Sequence, residues 1–238
     1  MARRRAIYVE SVIRANLDDL WLATQDLGSH QRWDLRFTQI DYLPATGQAG
    51  QAGQRFRYAV RLGPGVTVSG VGVCAGERVR PDGTRTSALR FGSSDRMSLI
   101  RSGSGYWRYV PTARGIRFIT GYDYLPGWGR LGWPADRLFR PIMGWATAWS
   151  FDRLRLWLEN GVPPERSLRR CVLTAGLRII LCVCAWWLRP AAAAGLLMAG
   201  IALTRPLPGV PSALRCRRHP PDRSAATPPS ILVHLEQL

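Results

Sequence analysis

The chain contains no lysine: all 33 of its basic residues are arginine, set against 16 acidic residues for a formal net charge of +17. Reliance on one cation points to arginine-rich codon usage before it points to nucleic acid, and no zinc-finger, RNP1-like or homeodomain-like pattern accompanies it. No nucleic-acid partner is expected. Cysteine is scarce and odd in number, five residues without regular spacing, which argues against a disulfide scaffold. Cys182 and Cys184 lie in an apolar run, where free cysteine behaves as a small hydrophobe. Cys216 and His219 are spaced like half a metal site, but no second half lies nearby and no metal is expected. Of three histidines, only His30 falls in the first 160 residues, at a helix-loop edge where it reads as polar surface. Asp34 and Asp41 stand alone rather than as a pair suited to acid/base work. There is no Ser-His-Asp order and no P-loop. The glycines at 70, 72 and 76 miss the dinucleotide pattern and sit in a strand-like run, so no cofactor is expected. Arg3, Arg4 and Arg5 are followed by Ile7-Tyr8-Val9-Glu10 instead of an apolar signal core, so the N-terminus is expected to stay in the cytoplasm.

What is present is a mixed α+β pattern over the first 160 residues. Alternation over 7–13 suits an opening strand. Asn16 offers an N-cap, with Asp18 and Asp19 in the first turn of a helix over 17–26. Gly28 is expected to end it, with a second short helix over 29–33. Strand-like runs follow at 37–43, 55–62, 66–79, 84–91, 97–101, 106–110 and 116–125, separated by turn signals. One such signal is Pro81-Asp82-Gly83, and a Gly/Gln/Ala-rich loop covers 45–53. Glycines 70, 72 and 76 predict bends or a bulge. In the last strand Ile116, Phe118, Thr120, Tyr122 and Tyr124 share one face, and Arg117 and Asp123 take the other, toward water. A long helix over 134–160 has apolar residues at three-to-four spacing, with Pro141 marking a kink or its true start. Asn160-Gly161 and Pro163-Pro164 end it. Short connections favour antiparallel pairing.

That element order, with Trp21, the His30-Gln31-Arg32-Trp33-Asp34 stretch and the closing 154–159 segment, resembles the SRPBCC, or START-like, superfamily. This group includes polyketide cyclase/dehydrase-like and lipid-transfer domains. The resemblance covers about residues 6–160. It implies a helix-grip fold, an antiparallel sheet curled around the long C-terminal helix with a cavity between them. The cavity would be lined by Phe56, Tyr58, Trp107, Tyr109, Phe118, Thr120, Tyr122 and Tyr124 from the sheet, and by Met143, Trp145 and Trp149 from the helix. The plainer reading of these side chains is that they fill the core.

Beyond residue 165 the composition shifts. The run 171–188 is apolar except for Thr174 and Arg178, and 191–203 carries no charge. Arg166, Arg169 and Arg170 precede these runs, and Arg205, Arg215, Arg217 and Arg218 follow. Trp186 and Trp187 suit a membrane interface. Three parts are thus expected: a START-like domain over 1–165 that folds on its own, a membrane-associated hydrophobic helical segment over 166–205, and a disordered basic tail over 206–238. Basic flanks on both sides place both ends in the cytoplasm, with the inner membrane contacted through 171–203. The expected partner is a hydrophobic or lipid-like small molecule. A cyclase or dehydratase and a membrane-tethered interaction module are the alternatives, and catalytic residues are not discernible.

Overall fold

The computed structural model describes residues 6–44, 54–188, 195, 199–200 and 206–232. Strand β1 (Ile7–Ile13) leads into helices α1 (Leu17–Gln25) and α2 (Leu27–Trp33), then strands β2 (Gln39–Tyr42) and β3 (Arg55–Gly63). Strands β4 (Val66–Val79), β5 (Arg85–Gly92), β6 (Ile100–Thr112) and β7 (Gly115–Pro126) follow, then helices α3 (Gly129–Asn160) and α4 (Pro164–Leu188). A 3-10 turn (Ala213–Arg215) and a short helix α5 (Arg223–Ala226) come last. The strands form one seven-stranded antiparallel sheet in the order β1-β7-β6-β5-β4-β3-β2. Helix α3 lies along β1 and β7. This is the expected α+β helix-grip arrangement.

Local chemistry accounts for most boundaries. Asn16 accepts from the Asp18 amide at 3.0 Å and starts α1. Asp26 ends α1 through its own N–H and caps α2 by accepting from the Ser29 amide at 2.7 Å. Gly28, expected to stop the first helix, therefore lies inside the second. Gly161, left-handed at φ 62°, closes α3 as expected. The bulge expected near Gly76 lies between Cys74 and Gly76. Gly70 and Gly72 instead leave room for rings: a Cβ there would fall 2.3 Å from Tyr58 and 2.2 Å from Phe56.

Two expected elements differ. The strands expected at 97–101 and 106–110 merge into one continuous β6, which starts only at Ile100. Gly103 and Gly105 do not break it; they make space for Phe91 and Tyr122 on the neighbouring strands. Helix α3 begins at Gly129, five residues before the expected start at 134, and contains both Pro134 and Pro141. An interior proline costs a helix about 3 kcal/mol, which the apolar packing of α3 on the sheet must outweigh.

The largest departure is the C-terminal segment. Residues 206–232, read as disordered, run as a strap across the domain. Asp152, fully buried on α3, accepts from the Ser212 amide at 2.8 Å and from Arg215 at 2.7 Å. Cys216 reaches the main core and donates to the Ala148 carbonyl at 3.2 Å, and burial pushes its thiol pKa up to about 12. Arg217 and Glu10 exchange backbone hydrogen bonds on the free edge of β1. Beyond it, Ala225, Ile231 and Leu232 cover Tyr8, Ala88, Tyr106 and Ile119 on the outer sheet face. Arg117 on that face is not simply solvated: it holds buried Glu10 through two 3.0 Å hydrogen bonds.

Two stability effects follow. Asp152→Ala should lower unfolding free energy by about 3–5 kcal/mol in urea titration, because it strands Arg155 and Arg215 and releases the strap. A chain ending at residue 165 should unfold at clearly lower urea than the full chain. Equal midpoints would show that the strap contributes nothing to the core.

Candidate functional site

The inner face of the sheet carries the expected parity. Phe118, Thr120, Tyr122 and Tyr124 pair across the ladder with Tyr109, Trp107, Gly105 and Gly103 of β6. The packing above this face divides into separate clusters. At one end Phe118 stacks on Phe151 of α3 at 4.3 Å and on Tyr109 at 5.0 Å. Trp107, Tyr109, Phe118 and Trp149 all belong to this closed cluster. The Tyr109 hydroxyl is bound by Thr24 at 2.6 Å and Gln25 at 2.9 Å. Thr120 donates to the Tyr106 carbonyl at 3.0 Å. Trp145 does not point inward. It is 46% exposed and stacks on Trp149 from outside, because it follows the outward stripe of Leu138 and Ile142 on α3.

Toward the other end two smaller clusters share Phe91. One holds Leu27, Ile40, Phe56 and Tyr58, with half-buried Phe37 and Cys74. The other holds Ile7, Tyr122 and Tyr124, with half-buried Ile100, Phe139 and Met143. Burial pushes the Tyr58 hydroxyl up to about 12; it donates to the Gly92 carbonyl at 3.3 Å. Arg140 covers the Tyr124 ring at 4.4 Å.

In contact with both clusters sits a charged group that sequence reasoning missed. Asp34, fully buried at the C-terminus of α2, accepts from Arg36 at 2.9 Å to one carboxylate oxygen and 2.6 Å to the other. It is also 3.0 Å from His30 Nε2. His30 is buried, stacked on Trp33 at 4.8 Å and edge-on to Trp107 and Phe37. The expectation of a surface histidine therefore fails: one turn of helix brings His30 and Asp34 onto the same inward face. The Arg36 guanidinium lies 5.5 Å from the Phe37 ring and 5.4 Å from the Tyr122 ring. The Tyr122 hydroxyl meets Thr147 at 2.9 Å. Burial by itself would raise the Asp34 pKa, but the Arg36 charge and the hydrogen bonds from His30 and Arg36 hold it far below the usual carboxylate range. Burial keeps Tyr122 protonated despite the nearby arginine.

Helix α3 positions this group. Arg153 donates to the Arg32 and Trp33 carbonyls at 2.9 and 3.1 Å, at the C-terminal end of α2. Ser150 accepts from the Leu35 amide at 2.8 Å. A His at i and Asp at i+4, with Arg two residues on, is the signal that could have found the cluster. Asp41 lies apart from it, on an exposed β2 position. His219 likewise lies on the strap, and among the described residues no group of His, Cys, Asp and Glu could hold a metal ion.

No family model matches the chain. Over 173 residues it is 46% identical to a protein of Bacillus subtilis (strain 168) named as membrane protein YndG. The match takes in 72% of this chain and 63% of that protein, so the chain spans less than two thirds of its relative. Among solved structures, the STAR-related lipid transfer protein of Xanthomonas axonopodis superposes with a TM-score of 0.47 at 20% identity, over 63% of this chain and 83% of that one. The di-domain ARO/CYC protein StfQ of the steffimycin pathway gives a TM-score of 0.48 at 13% identity, over 65% and 50%. Ara h 8.0201 gives 0.46 at 12% identity, over 66% and 98%. The fold is a helix grip. Strand order, the α1–α2 insertion after β1 and the long α3 carry that statement.

The Asp34 cluster has a pH signature. The carboxylate stays ionised in the folded chain to lower pH than in the unfolded chain, so its contribution is complete above about pH 4 and fades as pH falls further. Asp34→Asn should cost about 3–5 kcal/mol at neutral pH by stranding Arg36. The gap to the parent chain should narrow below about pH 4 in denaturant titrations. A gap constant from neutral to acid pH would contradict this account.

Proposed function

We propose that the chain binds a hydrophobic, lipid-like small molecule at the open end of the grip, and does so at a membrane surface. One observation carries the binding reading. The inner face packs a large closed cluster around Phe118 and Phe151, whereas the Arg36 end leaves Phe37, Phe91, Phe139 and Met143 half-buried around a hydrogen-bonded polar group. Apolar walls with a few placed polar groups are what an amphipathic small molecule needs. Of the lining residues expected from sequence, Phe56, Tyr58, Tyr122, Tyr124 and Met143 fall at this end and form the proposed site, joined by Arg36. Tyr122 and Thr147 supply the hydroxyls that would orient a polar head. Trp107, Tyr109, Phe118, Thr120 and Trp149 support it from the closed end.

The membrane part of the reading rests on α4 and on the name of the Bacillus relative. Among the described residues no helix is long and apolar enough to cross a membrane. Arg178 divides the apolar part of α4 into runs shorter than the ~20 residues a span needs. The helix instead exposes Leu173, Leu177, Ile180 and Val183, with Trp187 80% exposed near its end. Such a surface suits contact with the bilayer interface. Most of the second apolar run, 191–203, lies outside the described residues.

Small molecules extracted from freshly purified protein, identified by mass spectrometry, test the binding reading. A hydrophobic compound bound in stoichiometric amount is expected. Tyr122→Phe should keep the fold and weaken binding a few-fold to about tenfold, the worth of one hydrogen bond. An empty protein that also takes up no added lipid would leave the interaction-module reading ahead. In cell fractionation the full chain should sediment with membranes, and Leu177→Glu with Ile180→Glu should release it. Recovery of the parent chain in the soluble fraction would remove the membrane claim.

A further inference from the structure

Outside the helix grip, on the free flank of β1, an open groove of about 1340 Å³ runs between α3 and the strap. Its existence follows from the strap's sequence. Arg217 pairs with Glu10 on the β1 edge. Continued antiparallel pairing would set His219 against Tyr8 and residue 221 against Ala6. Pro220 and Pro221 occupy that stretch, and a proline has no N–H to extend a ladder. The strap therefore leaves the edge and returns only at α5 and Leu232, which pack on the outer sheet face. The gap is walled by Pro141 and Gly144 of α3 on one side and by Pro220, Pro228 and Leu232 on the other, over Ile7 and Tyr8.

Three arginines line this apolar groove against two carboxylates. Its two carboxylates, Asp123 and Asp136, both bind Arg140, at 2.7 and 3.1 Å. Arg137 and Arg218 also line it, and neither has an ion-pair partner among the described residues. His219 lies beside Arg218. The geometry points to a second binding site, for a single-chain amphipathic anion: the chain lies along the apolar walls and the acidic head meets Arg137 and Arg218. The site borders the interior one at Ile7 and Tyr122 and differs from it in that the strap supplies one of its walls. Gly144 matters because it has no side chain. A Cβ there would touch only Ile7 Cγ2, at an ordinary 3.6 Å, so a larger side chain would project into the groove.

Isothermal titration of the full chain with decanoate, and with uncharged decanol of the same chain length, tests this. Arg137 and Arg218 are exposed, so the double variant Arg137→Ser/Arg218→Ser should fold normally by circular dichroism. It should bind decanoate about tenfold more weakly and decanol as before, since only the charge-assisted contacts are lost. Gly144→Leu, which fills the groove, should weaken both ligands. The proposal is overturned if the parent chain does not bind decanoate, if the double variant binds it unchanged, or if Gly144→Leu leaves both affinities intact. Loss in Tyr58→Phe of an interior ligand, with decanoate binding retained, would separate this site from the interior one, because Tyr58 lines the interior site and not the groove.

Discussion

The stack of Phe118 on Phe151, at 4.3 Å and 20° between planes, is the contact on which the rest of the domain is built. It joins the first half of β7 to the last third of α3, and both periodicities propagate from it. Four residues back along α3 lies Thr147 and a further turn back Met143; four residues on along β7 lies Tyr122. The two series meet at the 2.9 Å contact between the Tyr122 and Thr147 hydroxyls. A slip of β7 by one residue would turn Arg117 and Asp123 inward and lose every one of these contacts. Next to Phe151, Asp152 emerges on the flank of α3, where it holds the strap.

The β1–β7–β6 end of the sheet is covered on both sides, which is unusual for an antiparallel sheet with a polar outer face. Val9, Phe118 and Tyr109 face α3, while Tyr8, Tyr106 and Ile119 lie under the strap. The outer cover explains why Glu10, a charged residue on a strand of the sheet, is buried. Burial opposes its ionisation, but hydrogen bonds from Arg117 and Tyr8 outweigh that and hold its pKa below the usual range. The strap is thus part of the folded domain, and the boundary that composition suggests near residue 165 is not where packing ends.

The inner face divides into one large aromatic cluster and two smaller ones, and a buried ion pair sits between the smaller two. Asp34 and Arg36 neutralise each other away from water, and the Arg36 guanidinium lies against the Phe37 and Tyr122 rings of the two smaller clusters. Arg153 and Ser150 of α3 hold the backbone of residues 32–35, so the same helix that closes one end through Phe151 fixes the polar group at the other. The strap adds a groove on the outer flank of β1.

By itself the sequence determined what depends on neighbours within a few residues. Alternation assigned the faces of β1, β3 and β7; Asn16 and Gly161 marked helix ends; the element order identified the helix grip. The tertiary structure decided what depends on contacts far apart in the chain. Trp145 and Trp149 look equivalent at helical spacing, yet only Trp149 is buried, because the turn of α3 against the sheet selects one. His30 and Asp34 read as isolated polar residues until Arg153, more than a hundred residues later, anchors the end of their helix. The strap's arginine- and proline-rich composition reads as disorder, since nothing local reveals that Asp152 and Glu10 supply its partners. A buried ion pair has no sequence period, and that is why these features emerge only when distant segments meet.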